Sequence, residues 1–320
     1  MIIVDKSLAL NLILWYIGNY YYNIQNKLAS NACGIGFAMS IATTQLGIGV
    51  IYSLFLWFVP DGRRLPKTTM FDIVQMYPVG LCSAIAHVSS VFSLASGGVV
   101  FGQIVKASEP VFAAFIGTIF YNKPISIYRW ICLSIIILGV SLASLKENEK
   151  GYYEIDFSIG ALVGAVIANI FAAFKGAENK KIIETSQLIE RIGSVSNQYA
   201  IMNIISFTLS VPIMLFVEGY KLVEFHQIVL NNNIASKNII LSGLTFYIYN
   251  ELSTITLKKM SAVNQSVANT AKRVIIIISS TIIFNEKVTT LKGSGCLLCI
   301  GGVFVDSIID DLVKNINKIK

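Results

Sequence analysis

Charge is the scarcest commodity in this sequence. Of 320 residues only 13% are Asp, Glu, Lys or Arg, whereas 54% are hydrophobic, and the mean hydropathy is +0.67. A water-soluble domain carries about 25% charged residues, so too little polar surface exists here to cover a 35.1 kDa globule in water. Histidine occurs only twice, and no paired carboxylates stand near either one. A membrane-embedded enzyme, such as a lipid phosphatase, would need a nucleophile or metal cluster that these residues do not offer. The five cysteines (33, 82, 132, 296 and 299) all lie in apolar segments. Cys296 and Cys299 form a C-x-x-C, but with no second pair and no neighbouring histidine they read as small buried side chains, not as zinc ligands or a redox couple. No metal and no cofactor is expected. The net charge of +7 is scattered over short loops and internal positions without a continuous patch, which excludes nucleic acid as a partner.

Long apolar runs are present in its place. Residues 28–60 and 73–105 contain no Asp, Glu, Lys or Arg at all, and roughly 20 apolar residues cross a bilayer. Backbone amides in hydrocarbon must be satisfied within the segment, so such runs read as helices. A transmembrane barrel would alternate over about 10 residues; these Ile, Leu, Val and Ala blocks do not. The pattern predicts an all-α membrane protein of ten transmembrane helices, at 8–26, 33–58, 71–93, 98–121, 126–145, 157–178, 196–217, 238–256, 263–284 and 292–310. The lipid bilayer is therefore its first partner, and a monomer or weak homodimer is expected. The chain enters its first apolar segment almost at once, with no separate signal or long transit peptide legible ahead of it. Basic residues outside the helices favour the side holding the N-terminus by fourteen to seven, which predicts both termini on the cytosol-like side.

An internal repeat is visible. Tyr121-Asn122-Lys123-Pro124-Ile125-Ser126 resembles Phe284-Asn285-Glu286-Lys287-Val288-Thr289 at an offset of 163 residues, and Gly139-Val140 meets Gly302-Val303 at the same offset. Five helices per half, 1–150 and 151–320, place equivalent helices in opposite directions. That is the inverted-repeat plan of secondary transporters, with substrate held near the midplane.

Four basic residues stand within the expected helices: Lys106, Lys175, Lys272 and Arg273. A charge at the bilayer centre costs about 2.5–3.5 kcal/mol on insertion scales. Lys175 lies near a helix end and can snorkel; the other three are deeper. The repeat offset maps Lys106 onto residue 269, one helical turn from Lys272, so both halves bring a cation to similar depth. Converging cations repel unless an anion joins them. Two nearby acids, Glu109 and Glu251, can neutralise at most two of the three. Arg grips phosphate oxygens through paired N–H donors and Lys adds a point charge, so inorganic phosphate and small organic phosphates are the expected ligands. Tyr247, Tyr249, Asn250, His87 and Ser90 flank these positions with hydrogen-bonding groups. The tyrosines of the first segment (16, 20, 21 and 22) read as an interfacial belt, and Pro110 as a kink one turn beyond Lys106.

At these residues the chain resembles the plastid phosphate translocators, the triose-phosphate and phosphoenolpyruvate/phosphate antiporters of the drug/metabolite transporter superfamily. The resemblance runs from Trp15-Tyr16 and Asn23-Ile24-Gln25-Asn26-Lys27 through His87-Val88-Ser89-Ser90 and Lys106-Ala107-Ser108-Glu109-Pro110. It is most specific at Tyr249-Asn250-Glu251 and Asn269-Thr270-Ala271-Lys272-Arg273-Val274. It implies one-for-one exchange of triose phosphate, 3-phosphoglycerate or phosphoenolpyruvate for inorganic phosphate by alternating access, in a plastid or relict-plastid (apicoplast) envelope membrane. By position it assigns Lys106, Lys272 and Arg273 to the phosphate group. It assigns His87, Ser90, Tyr249, Lys175 and Asn250 to the organic end. The departures are Gly102-Gln103 and Asn264-Gln265 where the family has Thr-His pairs, Ala172 for an aromatic, and Glu251 for Gln. The alternative is a nucleotide-sugar carrier of the same superfamily, which would lack Lys106 combined with the Lys272-Arg273 doublet.

Overall fold

The computed structural model of the chain describes residues 6–59, 62–122, 124–147, 153–155, 158–258, 262–285 and 288–319. Its helices, in chain order, are α1 (Lys6–Cys33), α2 (Ala38–Phe58), α3 (Met70–Ser96), α4 (Val99–Ala107), α5 (Glu109–Tyr121), α6 (Ile127–Ala143), α7 (Ile159–Glu184), α8 (Ser186–Ile192), α9 (Val195–Glu218), α10 (Leu222–Asn231), α11 (Asn233–Lys258), α12 (Ala262–Ile283) and α13 (Thr290–Ile319). Every apolar segment expected from the sequence falls on a helix. The short helices α8 and α10 were not expected, nor was a small antiparallel pair of strands, β1 (Leu145–Glu147) and β2 (Tyr153–Ile155), in the polar stretch after α6. Among the described residues five stretches are long and apolar enough to cross a membrane: Ile35–Phe58, Met70–Ser96, Val99–Tyr121, Ile159–Ile182 and Val195–Asn231. Large apolar side chains such as Phe216, Met70 and Ile282 point outward with over 70% of their surface exposed, which water would penalise and lipid does not.

The helices pack into two compact units, Met1–Ala95 with Phe174–Lys259, and Ser96–Ala173 with Met260–Lys320. Each draws on both halves of the sequence, so packing units and sequence repeats divide the chain differently.

In the first unit α1 lies along α11, and α2 contacts α9 and α11. Gly18 makes the first contact possible: a Cβ there would stand 2.9 Å from the Cβ of Tyr249. Small residues at such crossings let membrane helices approach closely. Polar groups within this apolar bundle satisfy one another. The Gln45 amide donates to Asn26 Oδ1 (2.9 Å) and to Ser242 Oγ (2.8 Å), and Asn26 donates to the Tyr22 hydroxyl (3.2 Å). The start of α2 has no side-chain cap of its own. Glu218, at the end of α9, supplies one by accepting from the backbone N–H groups of Met39 (3.0 Å) and Ser40 (2.8 Å), a carboxylate placed at the positive end of the helix dipole.

The second unit rests on two helix pairs, α6 with α13 and α4 with α12. A Cβ on Gly139 would stand 2.4 Å from the Cys299 nitrogen, and one on Gly295 equally close to the Ala143 nitrogen, so α6 and α13 touch backbone to backbone. Arg129 binds Asp306 across this pair through Nε and Nη2, both at 3.1 Å. Just past the end of α5 and of α12 stands a left-handed asparagine, Asn122 (φ 48°) and Asn285 (φ 49°). Asparagine tolerates that conformation better than other side-chain-bearing residues. These are the only positive-φ residues besides glycine among the described residues, and they stand at the repeat offset of 163.

Candidate functional site

The second unit carries the cations. Where one kinked helix was expected over 98–121, the chain forms two, broken at Ser108. Pro110 has no N–H to give, and its ring crowds the carbonyl four residues back, that of Lys106. The freed acceptors at the break are met from elsewhere. Val105 O accepts from Ser108 N (3.0 Å), Ser108 Oγ (2.7 Å) and the Asn169 amide of α7 (2.9 Å). Asn169 also reaches Ser108 Oγ at 3.3 Å. Lys106 thus stands in the last turn of α4, and Glu109 in the first turn of α5; each has the charge that its helix end favours.

Arg273, on α12, donates from Nη2 to Glu109 Oε2 at 2.6 Å. The arginine side chain is 11% exposed and the glutamate 42%. Arg273 and Glu109 both stand near enough for their charges to act on Lys106. Lys272 is half-buried beside Arg273 on α12. In the repeat register Lys272 is the counterpart of Glu109, and Arg273 of Pro110. The second copy therefore has a backbone N–H where the first has proline, and α12 runs on unbroken. Asn264 and Gln265 lie outside the described side chains. Cys296 and Cys299 are free thiols, as are the other three cysteines, and Cys299 packs towards the Ile104 carbonyl.

The first unit carries an aromatic group. His87 of α3 stacks on Phe246 of α11, with ring centroids 3.9 Å apart. Tyr22 of α1 stands 5.3 Å from both Phe246 and Tyr249 and 6.4 Å from His87. All four rings are less than 10% exposed. Tyr22 is therefore not part of an interfacial belt; Tyr21, half exposed, does face outward. Ser90 is half-buried one turn beyond His87. Asn250 turns its amide back onto its own helix, donating to Phe246 O at 2.9 Å. Lys175 is half-buried on α7, where its charge and that of Glu178 act on Cys82. Glu251 forms an ion pair with Arg63, whose Nη1 also reaches the Tyr247 hydroxyl (3.4 Å). Of the two acids weighed as partners for the buried cations, Glu109 pairs with Arg273, whereas Glu251 pairs with Arg63.

Tyr22, Phe246 and Asn169 were missed by sequence reasoning. For Tyr22 a signal existed: Trp15, Asn19, Tyr22, Asn23, Asn26 and Ser30, all buried, recur at three- and four-residue spacing and mark the inward face of α1. Nothing in the sequence marks Asn169.

The model of the Triose-phosphate Transporter family matches residues 6–307. The chain belongs to that family. This transporter is 31% identical over 303 residues to the chloroplastic triose phosphate/phosphate translocator of Brassica oleracea var. botrytis, covering 93% of this chain and 70% of that one. It is 30% identical over 309 residues to the chloroplastic xylulose 5-phosphate/phosphate translocator of Arabidopsis thaliana, covering 94% and 70%. One solved crystal structure matches 97% of this transporter and 99% of its own chain with a TM-score of 0.51 at 10% identity, a likeness that concerns the fold alone. Both the expected resemblance and the expected class, a membrane transporter akin to plastid phosphate translocators, hold.

Proposed function

We propose that this transporter exchanges three-carbon phosphates (triose phosphate, 3-phosphoglycerate or phosphoenolpyruvate) for inorganic phosphate across a plastid or relict-plastid envelope. The fold in this reading is ten membrane helices in two inverted five-helix repeats that expose the substrate to either side in turn. Lys106, Lys272 and Arg273 take the phosphate group, and the ring group of His87, Tyr249 and Tyr22, with Ser90, reads the organic end. The observation that carries the reading is the charge balance of the second unit. Arg273 and Glu109 both act on Lys106, and Glu109, the carboxylate paired with Arg273, is 42% exposed. A phosphate dianion arriving at Arg273 can accept from two guanidinium N–H groups where Glu109 accepts from one, it carries a second negative charge, and it leaves a compensated group of charges that can be shut off from water. Without it, occlusion confines net positive charge in a medium of low dielectric, and the empty carrier turns over slowly. Exchange follows from that difference.

The test is exchange of labelled phosphate in liposomes. Alanine at Arg273 or at Lys272 is expected to slow it about a hundredfold, roughly 2.7 kcal/mol, with protein yield and folding kept. Near-normal exchange in either variant rejects the clamp. Vesicles loaded without phosphate are expected to show little net uptake, and fast uptake there rejects obligatory exchange. A panel of counter-substrates should include a pentose phosphate beside the three-carbon compounds, because relatives named for both are about equally similar.

A further inference from the structure

A cavity of about 690 Å³ opens in the first unit, walled by the link between α2 and α3 and by α8 with the start of α9. Both links end at stretches long enough to cross a membrane, so the cavity belongs to the polar face of the unit. Arg63, Arg64, Lys67 and Arg191 line it, with Glu190 the one acidic residue among the lining. The four cations are not equivalent. Arg63 is held by Glu251. Arg191 is held by the fully buried Asp72, through Nε (2.9 Å) and Nη2 (2.5 Å). Arg64 and Lys67 are exposed, and their side chains form no hydrogen bond or ion pair among the described residues.

The walls are stapled around these two. Asn197 donates to Arg64 O (3.0 Å) and Ile192 O (2.9 Å) and accepts from Trp57 Nε1 (2.9 Å). The Lys67 N–H donates to Arg191 O at 2.9 Å. The frame thus presents two cations, held by no side chain among the described residues, into a space larger than a bare ion needs and within the range of small-molecule sites. Leu65 on the wall and Met70 just beyond it are 58% and 78% exposed, so one rim is apolar.

We propose that this cavity binds a phosphate-bearing organic anion, through Arg64 and Lys67, at a site built wholly from the first unit. Such an anion reaches the cavity as a lipid headgroup, with acyl chains along the apolar rim, or as a soluble metabolite. Two probes separate the sources on the full-length protein. Dioleoylphosphatidylglycerol is counted as retained adducts by native mass spectrometry from micelles. Glycerol 3-phosphate is titrated calorimetrically in an Arg273→Ala background, which silences the proposed transport site. The Arg64→Gln/Lys67→Gln variant is expected to bind the probe that fills the site about tenfold more weakly. The charge-conserving Arg64→Lys/Lys67→Arg variant is expected to recover most of that loss. Loss confined to the lipid assigns a headgroup, and loss confined to glycerol 3-phosphate assigns a metabolite. If the double variant misfolds, Lys67→Gln alone is read, with about a threefold loss expected. Equal binding of both probes by parent and variant overturns the proposal.

Discussion

Arg63 and Arg273 each hold a glutamate, Glu251 in the first unit and Glu109 in the second, but the two carboxylates differ in exposure. The Glu251 side chain is 10% exposed and the Glu109 side chain 42%. Glu251 pairs with Arg63, which also reaches the Tyr247 hydroxyl, whereas Glu109 acts on Lys106 as well as on Arg273. The first pair is closed, with one acid for one base. The second is open to solvent and outnumbered. Burial of a matched pair fixes structure, while an exposed acid among several bases leaves room for a competing anion.

Removing each arginine should therefore fail in a different assay. Arg63→Ala strands Glu251 in a buried place and is expected to cost about 3–5 kcal/mol of stability, read as a lower thermal midpoint in detergent. Adding Glu251→Gln should recover most of it, since the stranded charge is then gone. Arg273→Ala leaves a glutamate that water can reach, so its stability cost should stay under about 1 kcal/mol while exchange collapses. A normal midpoint for Arg63→Ala, or a collapsed one for Arg273→Ala, would break the contrast between the pairs.

In the proposed reading the ring group of the first unit recognises the organic end, and Tyr22 sharpens that assignment. It packs with Phe246, Tyr249 and His87 of the same unit. Tyr22→Ala is expected to raise the KM for triose phosphate about tenfold, by loss of one ring contact and the packing beneath it, and to change that for inorganic phosphate less than about twofold. Tyr22→Phe keeps the ring but leaves the Asn26 amide short of one acceptor, an effect of about threefold or less. Equal rises for both substrates would remove Tyr22 from recognition of the organic end.

The helices were legible because lipid makes the requirement local: an apolar run must satisfy its own backbone, whatever its neighbours are. The basic residues were legible for the same reason, since a charge in hydrocarbon stands out against its background. Partners were not. Glu109 and Glu251 look alike in sequence, each an acid in an apolar helix, and only packing tells which arginine each one meets. The break at Ser108 was half legible. Pro110 announced a disturbance, but whether it bends or severs the helix depends on who takes up the freed acceptors, and Asn169 comes from 61 residues away. Tyr22 was misread because tyrosine is common at membrane surfaces and composition outweighed periodicity, although its neighbours at three- and four-residue spacing pointed inward.

The smallest expected effect bears most directly on why the second pair is open. If Glu109 is the internal stand-in for phosphate at Arg273, Glu109→Gln removes a competitor without altering size. The cations then face the substrate with one more unit of net positive charge. The KM for phosphate should fall about threefold, because an ion pair exposed to this degree is worth little more than about 0.6 kcal/mol. The maximal exchange rate should fall too, since a more tightly held substrate leaves more slowly. Net uptake into phosphate-free vesicles should drop below even its low starting value, because the empty carrier has lost the partial compensation that Glu109 gives Arg273. A purely structural Glu109 predicts another pattern: a lower thermal midpoint with KM unchanged, as expected for the closed pair of Arg63 and Glu251. Measuring KM and midpoint together on Glu109→Gln and Glu251→Gln thus asks of each acid whether it competes with the substrate or holds the fold.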